Sequence, residues 1–285
     1  MSKIKTTTEL IYRLKVNGVE LSYFDYQYGK TKDSYLETHP LISRGKRFYQ
    51  NPHFWTFLLD SDLNEEVDFI YNMSEFVPDY NILAALVVSS NRIVNRYFKP
   101  MATEFFNNSG LSIEMRKQHM DRLMTDCSYE NKLDFYKILK DIAEEGKIEP
   151  LYNNYANAGR GYCLYNASKY KDGAFARYLL ENGADVTMND SMAFPTACKE
   201  GNYKIALELV KHGADIHTKK NLGKVMMLRN ELKERLTDEE KAIKEKLLSL
   251  YEDNIVEEDT PVTPTEEKNN EPETVPADQN TENNS

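Results

Sequence analysis

No run of about 18 apolar residues occurs in this chain, which excludes a membrane-spanning helix. The opening residues, MSKIKTTTELIYRL, lack a charged-then-apolar leader with a small-residue cleavage site, so a soluble, unprocessed protein is expected. Cysteine is scarce. Cys127, Cys163 and Cys198 are odd in number, widely spaced and without a Cys-x-x-Cys pair, which argues against zinc and for buried thiols in a reducing, cytoplasmic setting of a cell or host cell. Also missing are a glycine-rich phosphate loop and a nucleophile elbow. No catalytic constellation, cofactor or metal is therefore expected, and the chain is read as a non-enzyme.

What is present suffices for a folded core, with 40% apolar and 11% aromatic residues in 285. The net charge of −10 is concentrated at one end. Eleven carboxylates stand between Glu252 and Ser285 against the single base Lys268, which accounts for all of it and leaves residues 1–251 near neutral. With Pro261, Pro264, Pro272 and Pro276 and few large apolar groups, residues 252–285 are expected to form a disordered acidic tail. Frequent Asn, Lys, Tyr and Ile are a bias common in AT-rich genomes, including those of viruses and phages.

At the other end, alternating apolar residues flank Asn17-Gly18, a dipeptide suited to a two-residue hairpin turn. The pattern predicts a β-hairpin over Glu9 to Tyr26, with Val16, Leu14 and Tyr12 opposite Val19, Leu21 and Tyr23, inside an N-terminal region 1–53. From Phe54 the period lengthens to that of helices. Paired segments at 54–59 and 67–73, 81–88 and 92–98, and 114–127 and 133–142 make residues 54–150 a set of irregular helix pairs.

The strongest internal signal lies in residues 151–222. Leu179-Leu180-Glu181-Asn182-Gly183-Ala184-Asp185-Val186 recurs as Leu209-Val210-Lys211-His212-Gly213-Ala214-Asp215-Ile216, 30 residues later. At the same offset Leu164 matches Phe194, Ala167 matches Ala197 and Ala176 matches Ala206. Gly183 and Gly213 stand where a left-handed helix C-cap suits glycine, and Asp185 and Asp215 are placed to accept loop N–H groups. A fixed period of this kind marks a stacked array, in which one unit cannot bury its own apolar face. Caps are therefore needed. In residues 223–251, Val225 to Leu236 supplies one helix, and Thr237 with Glu240 has capping-box spacing before a second.

This segment resembles the ankyrin repeat family, through Leu164, Ala167, Leu179, Leu180, Gly183, Ala184 and Asp185. Fainter versions fall on Ile82, Ala85, Ile93 and Phe98, and on Leu123, Cys127, Phe135 and Leu139. The period is shorter than the usual ~33 residues and is similar to that of repeats in large DNA viruses. Where the family carries Thr-Pro-Leu-His, this chain has Tyr162-Cys163-Leu164-Tyr165 and Met192-Ala193-Phe194-Pro195. The resemblance implies a mainly α, ankyrin-like helix-turn-helix stack and a protein-binding role, for instance a viral or phage protein that modulates a host protein. It places partner contacts on inner helices and turn tips: Tyr165, Asn166, Lys169, Tyr170, Met188, Asn189, Asp190, Met192, Thr196, Lys199 and Glu200. Tyr165 and Tyr170 are the favoured anchors, because tyrosine offers amphipathic area at low entropic cost.

Other clusters have simpler readings. The acidic run Asp60, Asp62, Glu65, Glu66 and Asp68 lacks the glycine turn of an EF-hand loop and reads as a solvated connector. His212 and His217 flank a turn, where an exposed or structural role is expected. Basic and aromatic residues interleave at Arg44, Lys46, Arg47, Phe48 and Tyr49 and at Arg92, Arg96, Tyr97, Phe98 and Lys99, but a near-neutral body disfavours nucleic acid. A monomer that binds another protein is expected, the alternative being a regulator of a nucleic-acid-binding enzyme or transcription factor whose acidic tail mimics nucleic acid.

Overall fold

The computed structural model describes residues 4, 7–17, 52–73, 76–107, 110–229 and 236–253. These are mainly helical, and no helix among them is long and apolar enough to cross a membrane. Among these residues a first helix, α1 (Thr7–Val16), precedes six helix pairs: α2 (Pro52–Asp60) with α3 (Asn64–Tyr71), α4 (Tyr80–Val88) with α5 (Val94–Asn107), and α6 (Ile113–Tyr129) with α7 (Leu133–Glu145). The last three are α8 (Tyr162–Ala167) with α9 (Ala174–Glu181), α10 (Ala193–Lys199) with α11 (Tyr203–Lys211), and α12 (Thr218–Arg229) with α13 (Asp238–Asp253).

The pairs stack in order. The first helix of each pair packs on the first helix of the next, so α2, α4, α6, α8, α10 and α12 form one row. The second helices form the other, joined by packing of α5 on α7, α9 on α11 and α11 on α13, and by the edge contacts of Tyr136 with Phe175 and Tyr178. Between the rows lies a continuous core that includes Trp55, Phe98, Tyr136, Phe175 and Phe194, all essentially fully buried. Side chains also tie neighbouring turns. Asn91 Nδ2 donates to the Leu59 carbonyl at 2.8 Å, Lys132 Nζ to that of Ser89 at 3.0 Å and Asn202 Nδ2 to that of Tyr170 at 2.7 Å. Each such bond brings a side-chain donor to a turn carbonyl; those of Leu59 and Tyr170 accept a backbone N–H as well, from Asp62 and Gly173.

The first eight residues of the expected hairpin are helix. Burial falls on Leu10 and Leu14, four apart, while Tyr12 (68% exposed) and Val16 (67%) face outward, which is a helical spacing and not the alternation of a strand. The Arg13 guanidinium sits 3.6 Å from Glu9 and 2.5 Å from Glu65, so α1 gains both an i,i+4 pair and a tie to α3. Asn17 N–H bonds the Arg13 carbonyl and continues the helical pattern, so Asn17-Gly18 follows a helix end as readily as it opens a hairpin. The rest of that hairpin and most of the connection to residue 53 lie outside the described residues.

The 30-residue recurrence is visible in the backbone. Gly159, Arg160 and Gly161, then Asn189, Asp190 and Ser191, then Lys219, Lys220 and Asn221 all have φ between 50° and 85°. Three successive left-handed turns thus stand at one spacing, before α8, before α10 and in the first turn of α12. At the far end of each unit, Ala184 N–H reaches the Leu179 carbonyl at 2.9 Å and Ala214 N–H that of Leu209 at 3.0 Å, closing helices over Gly183 (φ 78°) and Gly213 (φ 90°). Ile148 N–H does the same to Ala143 at 2.8 Å with Lys147 (φ 51°) in the glycine position, so α7 ends as the later units do. Asp185 and Asp215 each accept a backbone N–H at 2.9 Å, from Thr187 and His217.

The two glycines differ in surroundings, and that separates strain from packing. A Cβ at Gly213 would meet nothing within 4 Å, whereas one at Gly183 would lie 3.2 Å from Asn154 Nδ2. Gly213→Val is therefore expected to cost about 1–3 kcal/mol from left-handed strain alone, and Gly183→Val at least as much. Urea midpoints for both variants check this; a wild-type midpoint for Gly213→Val would exclude strain as the reason for glycine.

At the C-terminal end Thr237 and Glu240 form the expected capping box. Thr237 N–H donates to Glu240 Oε2 at 2.8 Å and Glu240 N–H to Thr237 Oγ1 at 3.3 Å. In the preceding element Lys219, Lys220 and Asn221 are left-handed, so the regular helical run starts only at Leu222, three residues before the sequence pattern indicates, and residues 230–235 lie outside the described residues. Of the acidic tail, Glu252 and Asp253 close α13; residues 254–285 are not described.

Candidate functional site: a tyrosine and lysine surface on the first helices

α8 is only six residues long and both its neighbours in the row, α6 and α10, pack against it. Its buried positions, Cys163, Leu164 and Ala167, point into the stack, and this turns Tyr162 and Tyr165 to the other side. Tyr162 is 48% exposed, and its ring meets that of half-buried Tyr165 edge-on at 5.8 Å. One turn on, Lys169 Nζ lies 4.4 Å from the centre of the Tyr165 ring and 5.4 Å from that of Tyr129, which ends α6 and is 61% exposed. The ammonium also donates to Asn166 Oδ1 at 3.1 Å. Burial lowers the Lys169 pKa from its ordinary value; Glu200 opposes the shift and Lys199 adds to it. The result is a cation held between two aromatic faces, partly stripped of water and open on one side.

The eleven positions taken from the family resemblance separate into four groups. Tyr165, Lys169 and Tyr170 come together with Tyr129, although the Tyr170 hydroxyl donates to the Tyr129 backbone carbonyl, so part of its role is to join α8 to α6. Burial pushes that hydroxyl's pKa up, with Glu130 as a secondary cause. Asn166 and Thr196 are buried, and the Asn166 amide donates inward to Ser128 Oγ at 3.2 Å; these two present no side chain to a partner. Met188, Asn189, Asp190 and Met192 form the tip before α10. There Asp190 pairs with Lys219 at 3.0 Å and its carbonyl accepts from Thr218 at 3.1 Å, which binds one tip to the next. Lys199, the last residue of α10, pairs with Glu200 at 3.3 Å.

Two aromatic members of the surface, Tyr129 and Tyr162, are absent from that set. Tyr162 precedes Tyr165 by three residues, a spacing that shares one helix face and was readable. Tyr129 was not readable. The bond from Lys132 N–H to the Cys127 carbonyl matches that from Asn202 N–H to Ala197, which puts Tyr129 in the place of Lys199 and, one unit earlier, of Lys169. α6 has 17 residues against six in α8, so no fixed offset brings these positions into line.

The remaining clusters act within the stack. Asp62 accepts from Asn91 at 3.1 Å, Asp68 pairs with Arg96 at 3.1 Å and Glu65 with Arg13, so three members of the acidic run are connectors. A cavity of about 810 Å³ opens beside Glu65, Asp68 and Arg96 and is bordered by these same ion pairs. His212 Nδ1 lies 2.8 Å from the Glu208 carbonyl, and His217 Nδ1 lies 2.8 Å from Asn221 Oδ1. Among the described residues no group of three or more His, Cys, Asp or Glu side chains converges on a metal position. All three thiols are buried, and burial pushes Cys163 and Cys198 up to about 12, which disfavours the nucleophilic thiolate. Tyr80 donates to Asp126 at 3.2 Å and stacks on His119 at 4.8 Å, joining α4 to α6. Burial raises Tyr80 to about 12 and lowers His119. The chain matches no protein-family model, no curated protein and no solved structure.

Proposed function

We propose that this chain is a non-enzymatic, ankyrin-type protein-binding module that holds another protein against Tyr129, Tyr162, Tyr165 and Lys169. The single observation that carries the reading is this cluster itself: three tyrosines and a partly desolvated lysine, presented together on one row of helices. Aromatic and cationic side chains with little conformational freedom left to lose are the groups that dominate binding energy at protein interfaces. The 30-residue recurrence of left-handed turns and glycine-closed helices supports the ankyrin-type assignment. A monomer acting in the cytoplasm, on a cellular or host protein, is the setting this reading implies.

The test is a photo-reactive residue at position 129, which should crosslink the partner, followed by substitution. Tyr165→Ala is expected to weaken that partner's Kd by about 30-fold, the equivalent of ~2 kcal/mol, with little change in melting temperature. Lys211→Ala, on the exposed side of α11, is expected to leave affinity unchanged. Equal affinity of Tyr165→Ala and wild type for the crosslinked partner would overturn the assignment of the surface. A second reading is favoured by the eleven carboxylates between Glu252 and Ser285, which would mimic nucleic acid toward a basic partner. In that case the partner is lost on removal of residues 254–285, and the isolated tail peptide binds it in competition with DNA.

A further inference from the structure

Hydrogen bonds bring the turns after the first-row helices into line. Leu63 N–H donates to the Leu58 carbonyl at 2.9 Å, Lys132 N–H to that of Cys127 at 2.8 Å and Asn202 N–H to that of Ala197 at 2.8 Å. Asn91 holds the corresponding place after α4, because its side chain reaches the preceding turn as those of Lys132 and Asn202 do. Three residues before these four stand Asp60, Val88, Tyr129 and Lys199, and the 30-residue period places Lys169 between the last two. These equivalent positions form one ridge across the stack. Its chemistry changes along its length, from an acid through an apolar and an aromatic side chain to two cations.

The two cations differ in what they touch. Lys199 is paired with Glu200, whereas no carboxylate lies within ion-pair distance of Lys169 among the described residues. Lys169 Nζ gives one of its three N–H groups to Asn166 and rests against the Tyr165 and Tyr129 rings. Burial lowers its pKa, so the ammonium has lost hydration that these contacts do not replace. A carboxylate supplies what is missing, an acceptor of opposite charge for the remaining N–H groups. A second cation would be repelled from the same rings by Lys169 itself. A dianionic phosphate would meet Glu200, which acts on Lys169, and Glu130, which acts on Tyr170, with a single ammonium to offset them. Beside that ammonium the exposed rings of Tyr162 and Tyr129 offer amphipathic area, which suits an apolar or aromatic neighbour of the acid.

We propose that the partner seats a carboxylate side chain on Lys169, with an adjoining apolar or aromatic group laid on the tyrosine rings. The inference rests on the tyrosine and lysine surface being the docking site, and it adds the chemistry that this site selects. The order of the ridge sets the direction: the acid lies at the Lys169 end, and the apolar group lies toward Tyr129 and Val88.

The test titrates phenylpropionate into the full chain, with phenylpropionamide and phenethylammonium as controls, and follows the tyrosine ring and lysine ε signals by NMR. The acid is expected to bind saturably with a Kd on the order of millimolar, at least about fivefold tighter than either control, with its ring in Overhauser contact with Tyr129. Lys169→Met is expected to erase the preference for acid over amide at an unchanged melting temperature, and Lys169→Arg to keep it. Equal binding of the three probes overturns the proposal, as does an acid preference that survives in Lys169→Met. Tighter binding of phenyl phosphate overturns it by giving the site to a phosphate. Lys169 titrating above the ordinary lysine value in the probe-free chain overturns it too, because one of the chain's own carboxylates would then hold the site. Dissociation of a dimer by the acid would assign the surface to a second copy, with the same consequence. These probes need no partner, so the two readings fail separately: a crosslinked partner weakened by Tyr165→Ala, without any acid preference, keeps the surface and removes the carboxylate.

Discussion

Phe194→Ala is expected to lower the unfolding free energy by about 3–5 kcal/mol, the range for deleting a fully buried aromatic ring. Phe194 is 0% exposed and lies on α10 under the last helix pair. Its ring edge is so close to α12 that a Cβ built on Gly223 would stand 2.5 Å from it. Removing the ring leaves a void that neither helix can fill, since α10 is held on its other side by α8 and α11. In a stacked array the loss should concentrate on one interface, so the pair α12 and α13 is expected to fray first, with amide exchange there faster than in α6 and α7. Urea unfolding gives the total, and a cost below about 1 kcal/mol would mean that the two helices do not pack as described.

Gly223→Val probes the same interface from the opposite direction. Glycine inside a helix costs roughly 0.5–1 kcal/mol against alanine, so on propensity alone its replacement ought to be neutral or stabilising. Here the added side chain would meet Phe194 at 2.5 Å and the Tyr251 hydroxyl at 2.8 Å, and that hydroxyl already donates to Ile216. Overpacking is expected to win, at a net cost of about 1–3 kcal/mol. The sign is the diagnostic quantity: a melting temperature equal to or above wild type would show that α12 stands further from α10 and α13. Together the two variants bracket the gap, one by emptying it and one by overfilling it.

Some of this was legible because it depends on neighbours along the chain. Gly183 and Gly213 follow apolar helix ends at a spacing of 30, and each takes the left-handed conformation that closes a helix. Thr237 and Glu240 satisfy each other's backbone groups across one turn, a contact that needs nothing from elsewhere in the fold. Asp185 and Asp215 turn onto their own loops for the same reason. Within the candidate surface, Tyr165, Lys169 and Tyr170 could be named because they belong to the unit with the clearest period. Asn166 and Thr196 were misplaced outward because a polar side chain on a short helix gives no sign of which face its neighbours will cover.

Local order along the chain sets the paired helices from Phe54 onward, their glycine closures, the capping box and the gathering of net charge from Glu252 onward. Tertiary structure alone decided three things. It made Thr7–Val16 a helix, since ten residues of mixed apolar pattern suit either period until a core takes Leu10 and Leu14 and rejects Tyr12 and Val16. It placed Tyr129 beside Lys169, across helices whose unequal lengths hide their correspondence. It left Val225 and Leu228 uncovered on the last first-row helix, where identical repeat positions are buried one unit earlier. The common reason is that burial belongs to the stack: a residue's own neighbours set its backbone, whereas the adjoining unit sets what its side chain touches.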